Sequence, residues 1–364
     1  MSRSGLPIEL SPEMNSLFEV LGRDSERVFG TARLQIIPVK IDLRESSEVA
    51  RARVEGPAHV RHVFAKIFKS RPGEVGLTET RIRFRKDYNV TRQVFDAMHS
   101  MGDIRSVEPI ACYEELLGVV TNEVPGLPLS VAISKDAAWP ASASQVAALE
   151  AALSRLGRWI AAFQRVAPDA APSRMDLDAT REYIDRRLVK LAGLPRAAFS
   201  EADRQEVLAH FDRLAARVPA SDLVDVPVHG DIVPSNAVVA HDCVTVLDFG
   251  MTARGSKYLD IARLYTQLDF YRAKPQYRGA VITRLQAAAL AGFAPGLRAD
   301  DPLFEICAMQ HVVCHLLSHV RQPGPFPVSV YSGHLVRRHR RWLRERGRES
   351  AVNRLDPRAS ADRV

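Results

Sequence analysis

The chain has 364 residues, 46% of them apolar and 26% charged, with a formal net charge of +7. That balance belongs to a globular protein of one large or two modest domains and excludes a collagen-like, low-complexity or disordered chain. No uninterrupted apolar run approaches a membrane span, and the four cysteines, Cys112, Cys243, Cys307 and Cys314, show neither metal spacing nor a disulfide framework, so a reduced, cytoplasmic setting is expected.

The opening, Met1 to Pro7, shows no apolar core of a secretory signal. In the first structured text, Arg44-Glu45-Ser46-Ser47-Glu48 precedes a run in which Val49, Arg51 and Arg53 alternate with Ala50, Ala52 and Val54, the period of a strand. Gly56-Pro57 marks a turn, and Val60 to Phe68 is a second β-rich run with Lys66 between apolar neighbours. Lys69, three residues on, falls on the opposite face of that run. Phe84, Tyr88, Thr91, Phe95 and Met98 then recur at helical steps, predicting one buried helix face with Asp87 near its edge and Glu79 further upstream. Leu117 to Asn122 is a predicted strand, followed by Glu123-Val124 and a Pro/Gly loop, Pro125 to Leu129.

From Ser142 the pattern becomes helical, with Val146, Leu149, Leu153, Leu156, Ile160 and Phe163 on one stripe. Further helices are predicted around Tyr183–Leu191 and Val207–Leu214. Three short strands follow: Val226-Pro227-Val228, Ala237 to Ala240 and Val244 to Leu247, with His241-Asp242 turning between the last two. Such a hairpin places Asn236 and Asp248 near each other at its base. Between and around these strands lie His229-Gly230-Asp231, Asn236 five residues after Asp231, and Asp248-Phe249-Gly250. Two carboxylates and an amide at this spacing suit magnesium held against a nucleotide and a hydroxyl aimed at its terminal phosphate.

Helices are expected over Tyr258–Tyr271, Tyr277–Leu290 and Leu303–Val320. His311, His315 and His319, one turn apart after Cys307, invite a metal reading, but the ladder spans about 18 Å at 1.5 Å per residue, too long for one ion. Histidines packed and hydrogen-bonded on a core helix are the favoured account. Much of the positive charge lies in Arg337-Arg338-His339-Arg340-Arg341-Trp342-Leu343-Arg344 with Arg346 and Arg348. A solvated basic helix end is expected there, with weak contact of Arg337–Arg348 to an anionic surface as the functional alternative. Nucleic acid is not an expected partner, and the sequence leaves the oligomeric state open. Residues 351–364 are expected to form a disordered tail.

The segment from Val228 to Ala262, which joins His229-Gly230-Asp231 and Asn236 to Asp248-Phe249-Gly250 and Tyr258-Leu259-Asp260-Ile261-Ala262, resembles the aminoglycoside phosphotransferase/choline kinase family of small-molecule kinases. The resemblance implies an α+β, bilobal protein-kinase-like fold, with a β-rich nucleotide-binding lobe over 1–124 and a mainly helical catalytic and substrate-binding lobe over 125–350. It implies Mg2+-dependent transfer of the terminal phosphate of ATP or GTP to a hydroxyl. In that reading Asp231 orients the acceptor and takes its proton late, and Asn236 and Asp248 ligate the metal. Lys66, steadied by Asp87 with Glu79 as the alternative, holds the nucleotide phosphates. Ser46 and Ser47 would cover those phosphates, and Glu123 and Val124 would offer backbone groups to adenine. His229 braces the loop; Asp260 caps its helix and ties the loop down.

One departure stands out: the stretch from Arg44 to Glu48 has no glycine, and its two glutamates would repel phosphate unless turned away. This motivates a catalytically inactive, kinase-shaped nucleotide-binding or scaffold protein as the alternative. A protein kinase is disfavoured, because only ten residues separate Gly250 from Asp260, too few for an activation segment. After Asp260 the carboxylates before the tail are Asp269, Asp300, Asp301 and Glu305, against many arginines, which speaks against a polycationic acceptor. Tyr265, Phe270, Tyr271 and Tyr277 could contribute to a choline cage but are expected in the core. A neutral or anionic hydroxyl compound, a sugar or glycan, is the expected acceptor.

Overall fold

The computed structural model describes residues 9–56, 59–71, 76–167, 171–322 and 328–355. In chain order, helices α1 (Pro12–Arg23) and α2 (Ser25–Phe29) precede strands β1 (Gln35–Arg44), β2 (Ser47–Gly56) and β3 (His59–Phe68), then α3 (Thr78–Met98). Strands β4 (Ile104–Ser106), β5 (Pro109–Tyr113), β6 (Gly118–Asn122) and β7 (Leu127–Pro128) follow. Next come α4 (Leu129–Asp136), α5 (Ala143–Val166), β8 (Ser173–Arg174), α6 (Leu177–Ala192) and α7 (Glu201–Ala215). Strands β9 (Val224–Val228), β10 (Ala237–Val239), β11 (Val244–Val246) and β12 (Ala253–Ser256) lead to α8 (Leu259–Asp269), α9 (Gly279–Phe293), α10 (Pro302–Arg321) and α11 (Val328–Leu355). A β-rich N-terminal region thus gives way to a mainly helical C-terminal one, the arrangement expected from the sequence.

The chain forms two compact units. The first comprises Met1–Pro128, Val166–Pro168 and Asn236–Thr252; the second Leu129–Arg165, Asp169–Ser235 and Ala253–Val364. Residues 236–252 therefore pack with the first unit, whereas a boundary drawn at 124 would assign them to the second lobe. The reason is strand pairing: β10 pairs with β7, and β11 runs parallel to β4, in a four-stranded sheet ordered β4-β11-β10-β7.

In the first unit the main sheet has the order β1-β2-β3-β6-β5, all neighbours antiparallel. Side chains alternate across a strand. Ala50, Ala52 and Val54 of β2 and Val63, Ala65 and Ile67 of β3 accordingly share one buried face with Met14, Leu17 and Leu21 of α1. The other face carries Val49, Phe64, Lys66 and Phe68, and Phe68 packs edge-on against Phe84 of α3 at 5.8 Å. Helix α3 buries Phe84, Asp87, Val90, Thr91, Val94 and Met98, so Asp87 lies within the predicted face while Glu79 is exposed.

The second unit holds its core between α6, α7, α10 and α11, with Leu188, Phe211, Ile306, Val313 and Leu343 among its buried residues. Helix α10 is long and apolar enough to cross a membrane by length and composition, yet most of it is buried inside this unit, so a core helix accounts for it. Helices α5 and α9 touch backbone to backbone: a Cβ at Gly157 would lie 2.3 Å from the Ala289 carbonyl oxygen, and one at Gly292 would lie 2.1 Å from that of Ser154. No side chain fits at either place.

Helix α11 runs to Leu355, so residues 351–355 are helical rather than tail; 356–364 lie outside the described residues. Its basic stretch is solvated only in part: Arg337 and Arg341 are exposed, whereas three other arginines are paired. Arg338 grips Asp269 with two hydrogen bonds of 2.9 and 3.0 Å, Arg346 lies 3.4 Å from Glu305, and Arg344 reaches Asp203 at 2.8 Å. Asp203 also closes the capping box of α7, accepting from the Ser200 amide and hydroxyl. The Arg344 guanidinium, against a smaller opposing effect of burial, and these Ser200 donors hold its carboxyl down to about 2. Because the folded value lies below the ordinary one, this stabilisation is present above pH 4 and is lost as the pH falls towards 2. Arg344→Ala should cost about 1–3 kcal/mol at pH 7, read as a shift in the urea midpoint. That cost should shrink on acidification below pH 4.

Candidate active site

Antiparallel pairing of Val49 with Lys66, and of Lys66 with Val119, fixes which way the strand lysine points. Its Nζ donates to Asp87 Oδ2 at 2.9 Å and to Asp248 Oδ1 at 3.0 Å. Burial alone would push this lysine down, but the two carboxylates outweigh it and hold the ammonium above its ordinary value. Asp248 itself sits in the left-handed region at φ 66°, a backbone state that costs a non-glycine residue about 1–3 kcal/mol and recurs at functional sites. Asn236 immediately precedes β10 and Asp248 lies just beyond β11. Ala237 pairs with Val246, and the Leu247 amide donates to the Asn236 carbonyl at 2.9 Å, so both residues lie at one end of the hairpin.

Lys66, Asp87 and Asp248 line a cavity of about 300 Å³ within the first unit. Val49, Phe64, Val119, Val238 and Leu247 give it apolar walls, and Glu123 and Val124 border it. Glu123 is fixed twice: its amide donates to the His62 carbonyl at 3.0 Å, and its carboxylate takes Arg51 in a fork of 2.8 and 2.9 Å. A largely apolar cavity whose wall also holds an ammonium and two carboxylates suits a nucleotide.

In the second unit, the loop after β9 is held from α8. Both Asp260 carboxylate oxygens accept backbone amides, from His229 at 2.6 Å and Gly230 at 2.9 Å, with Gly230 at φ 78°. Burial pushes the Asp260 carboxyl up against those donors. Asp260 thus ties the loop down, but it does not cap its helix: Tyr258 is the N-cap, and it makes no side-chain cap bond. The His229 ring is buried edge-on against the stacked pair of Trp159 and Phe163, at 5.8 and 6.1 Å, and its Nδ1 accepts the Asp231 amide at 3.3 Å. The Asp231 carboxylate is paired with Arg263.

The sequence model of the phosphotransferase enzyme family, APH, matches residues 98–302, more than half of the chain. The chain belongs to this family. The match spans the loop and hairpin but begins after Lys66 and Asp87, whose place in the site rests on geometry. Comparison with the curated proteins gave no sequence match. Among solved structures, a thermostable mutant of aminoglycoside phosphotransferase APH(4)-Ia is 15% identical, with a TM-score of 0.54 over 88% of this chain and 98% of its own. Choline kinase from Cryptosporidium parvum Iowa II is 10% identical, at 0.52 over 96% and 99%. A glucosamine kinase in complex with glucosamine, ADP and inorganic phosphate is 15% identical, at 0.52 over 90% and 98%. These likenesses establish the kinase-like fold of this phosphotransferase.

Around the cavity of the phosphotransferase, several residues settle differently from their sequence reading. Glu45 and Ser46 form the tight turn between β1 and β2, and Ser47 is buried. The Ser46 carbonyl accepts the Lys69 amide at 2.9 Å, and the cavity wall here is Arg44 and Val49. Glu48, one of the two glutamates, turns inward beside α1 and pairs with Lys69 at 2.7 Å. That pairing also accounts for Lys69, the rival to Lys66. Arg44 and Arg263 were not singled out from the sequence. Arg263 lies three residues after Asp260 on one face of α8, an i, i+3 signal that points both side chains to one loop. The histidine ladder resolves into core contacts: His311 Nε2 lies 2.9 Å from the Leu259 carbonyl, and His315 Nε2 lies 2.9 Å from Gln267 Nε2.

Proposed function

We propose that this phosphotransferase moves the terminal phosphate of ATP or GTP to a hydroxyl of a small molecule, a sugar or glycan, in the cytoplasm. The observation that carries the reading is Lys66 bridging Asp87 and Asp248 in the wall of a largely apolar cavity. The structural neighbours' titles supply parallels: one binds AMP-PNP with hygromycin B, another glucosamine with ADP.

Lys66 would grip the nucleotide phosphates, with Asp87 fixing its direction. Asn236 and Asp248 offer one amide and one carboxylate oxygen, which suits Mg2+, an ion that keeps waters and binds phosphate oxygens alongside few protein donors. Among the described residues no group of three or more His, Cys, Asp or Glu forms a metal cage. Bound there, the ion would neutralise charge building on the phosphoryl oxygens. Asp231, held by Arg263 and the Asp260-braced loop, would orient the acceptor hydroxyl. A carboxylate is too weak a base to ionise an alcohol beforehand, so the proton reaches Asp231 late, as the new O–P bond forms.

The acceptor side argues against polycations. Asp269 is taken by Arg338 and Arg272, Asp300 by Arg298, and Glu305 by His210, while the Asp301 carboxylate accepts the Arg298 amide. A choline cage is disfavoured too, because the chain's own Lys274 ammonium lies over Tyr271 and Tyr331, at 5.1 and 5.2 Å. The tight, glycine-free turn at Glu45-Ser46 favours a second reading, a silent nucleotide binder. Thermal melts with Mg2+ and ATP or GTP, joined to a phosphate-transfer screen of sugars, separate the two. A ligand bound only by the folded state raises the Tm. A shift with transfer is expected, a shift without transfer selects the silent reading, and no shift defeats both.

A further inference from the structure

Pairing across the main sheet of the first unit sets the cavity-facing side chains in rows. Phe64 stands beside Thr121, and in the next row Lys66 stands between Val49 and Val119. Glu123 and Val124 follow the end of β6, on the Thr121 side of that second row. Arg44 lies on the other side. It pairs with Ser47, and Ser47 with Phe68, one two-residue step beyond the Lys66 row towards the β1–β2 turn. Its Cα is therefore about 10 Å across the sheet from that of Lys66 and about 7 Å further along. All of these but Ser47 and Phe68 line the one cavity, which thus runs from Glu123 and Val124, past Lys66, to Arg44.

The charges in that wall are unevenly engaged. The Lys66 ammonium is shared by Asp87 and Asp248, Glu123 is offset by Arg51, and Lys69, near the same turn, is taken by the buried Glu48. Two aspartates against one ammonium leave the wall negative, and a magnesium-bound triphosphate is negative as well, so the two repel. Among the described residues Arg44 is the other cation in this wall. Its side chain is 53% exposed, and its Nε donates to Asp42 Oδ2 at 3.1 Å, a carboxylate 55% exposed. An exposed pair of this kind contributes about 0–1 kcal/mol and does little to neutralise the guanidinium. Its two terminal nitrogens make no hydrogen bond among the described residues.

We propose that Arg44 binds the terminal phosphates of the nucleotide, with a guanidinium in place of the backbone amides that a glycine-rich turn would offer. The proposal rests on the phosphotransfer reading given above. Glycine lets a backbone approach phosphate closely. The turn here is Glu45-Ser46, and its Ser46 carbonyl is bonded to the Lys69 amide. A guanidinium needs no such approach, because it reaches out from the strand and pairs with phosphate oxygens through parallel hydrogen bonds. The order along the wall assigns the partners: the base towards Glu123 and Val124, the inner phosphates at Lys66, and the outer ones at Arg44. Asp42, by holding Nε, aims the two terminal nitrogens without occupying them. A positive group at that end also steadies the charge that builds on the outer phosphate oxygens during transfer.

Isothermal titration of the full chain with Mg2+ and AMP, ADP and ATP, and with GMP, GDP and GTP as a second series, tests this. Arg44→Gln should weaken binding of the triphosphate about tenfold or more, the scale of a charge-assisted hydrogen bond. The diphosphate should lose less, and the monophosphate least. Arg44→Lys keeps the charge but not the fork, and should recover part of the lost affinity. Triphosphate affinity should also fall more steeply with salt in the unaltered protein than in Arg44→Gln. Because Arg44 is exposed, the ligand-free Tm should change little, which shows that the variant is folded. Triphosphate binding indifferent to Arg44→Gln, or an equal loss across all three nucleotides, overturns the proposal. An unaltered protein that binds no triphosphate defeats the phosphotransfer reading and this contact together. Binding without transfer defeats the phosphotransfer reading alone, since the titrations still report on Arg44.

Discussion

Asp248→Asn is expected to lower Mg2+-dependent phosphate transfer at least about 10²–10³-fold, the scale of losing one preorganised electrostatic contact in a phosphoryl-transfer site. The substitution is close to isosteric, and Asn tolerates the left-handed backbone that this position adopts at φ 66°. The side chain is partly exposed, and Lys66 keeps its 2.9 Å bond to Asp87, so the fold should survive. The defect should therefore appear in turnover and in the Mg–nucleotide thermal shift while the ligand-free Tm changes little. Asp231→Asn should behave differently. It should lower kcat on a similar scale yet leave the nucleotide shift intact, because Asp231 belongs to the acceptor step. Near-normal turnover in Asp248→Asn would remove it as a metal ligand; a lost nucleotide shift in Asp231→Asn would show that its role had been misassigned.

The second large effect concerns acid. Burial is the main force pushing His311 down to about 4 and His315 and His339 down to about 3. Arg263, Arg338, His319 and one another add repulsion. An unfolded histidine titrates near 6.5. Between that value and the folded one the unfolded chain binds more protons, so stability rises with pH across the window. It is complete above about pH 6.5 and is lost progressively as the pH falls towards 4 and 3. By pH 5 each of these histidines costs about 2 kcal/mol, from 1.5 pH units at 1.36 kcal/mol per unit. The window from 6.5 to 5 lies above most carboxylate titration, so the histidines dominate it. Melts should show the Tm falling by several degrees there, with a shallower fall in His315→Gln. A flat Tm from pH 7 to 5 would contradict the buried, neutral cluster.

How much of this was legible without coordinates follows from the range of each interaction. Strand alternation put Lys66 and Lys69 on opposite faces, and the structure gives them different carboxylates, Asp87 and Asp248 for one and Glu48 for the other. Helical periodicity put Asp87 near the edge of the apolar face of α3 with Glu79 as the alternative, and the structure buries Asp87. The turn at His241-Asp242 predicted the β10–β11 hairpin and hence Asn236 and Asp248 at one end of it. Each of these depends on neighbours a few residues away, where backbone geometry alone fixes direction.

Distant encounters had no such local signal. Nothing near Glu48 announces that it is fully buried, because its partner is set by packing against α1. The basic run on α11 looked like a solvated face until Arg338 and Arg344 met Asp269 and Asp203, residues 69 and 141 positions away. The hairpin carrying Asp248 belongs to the first unit only because β10 and β11 pair with β7 and β4. The chain by itself determined the motif, the strand and helix faces, and the family. The tertiary structure alone decided which charges meet and where the cavities form. A side chain's direction is a local backbone property, whereas its partner depends on long-range packing, which no short window of sequence contains.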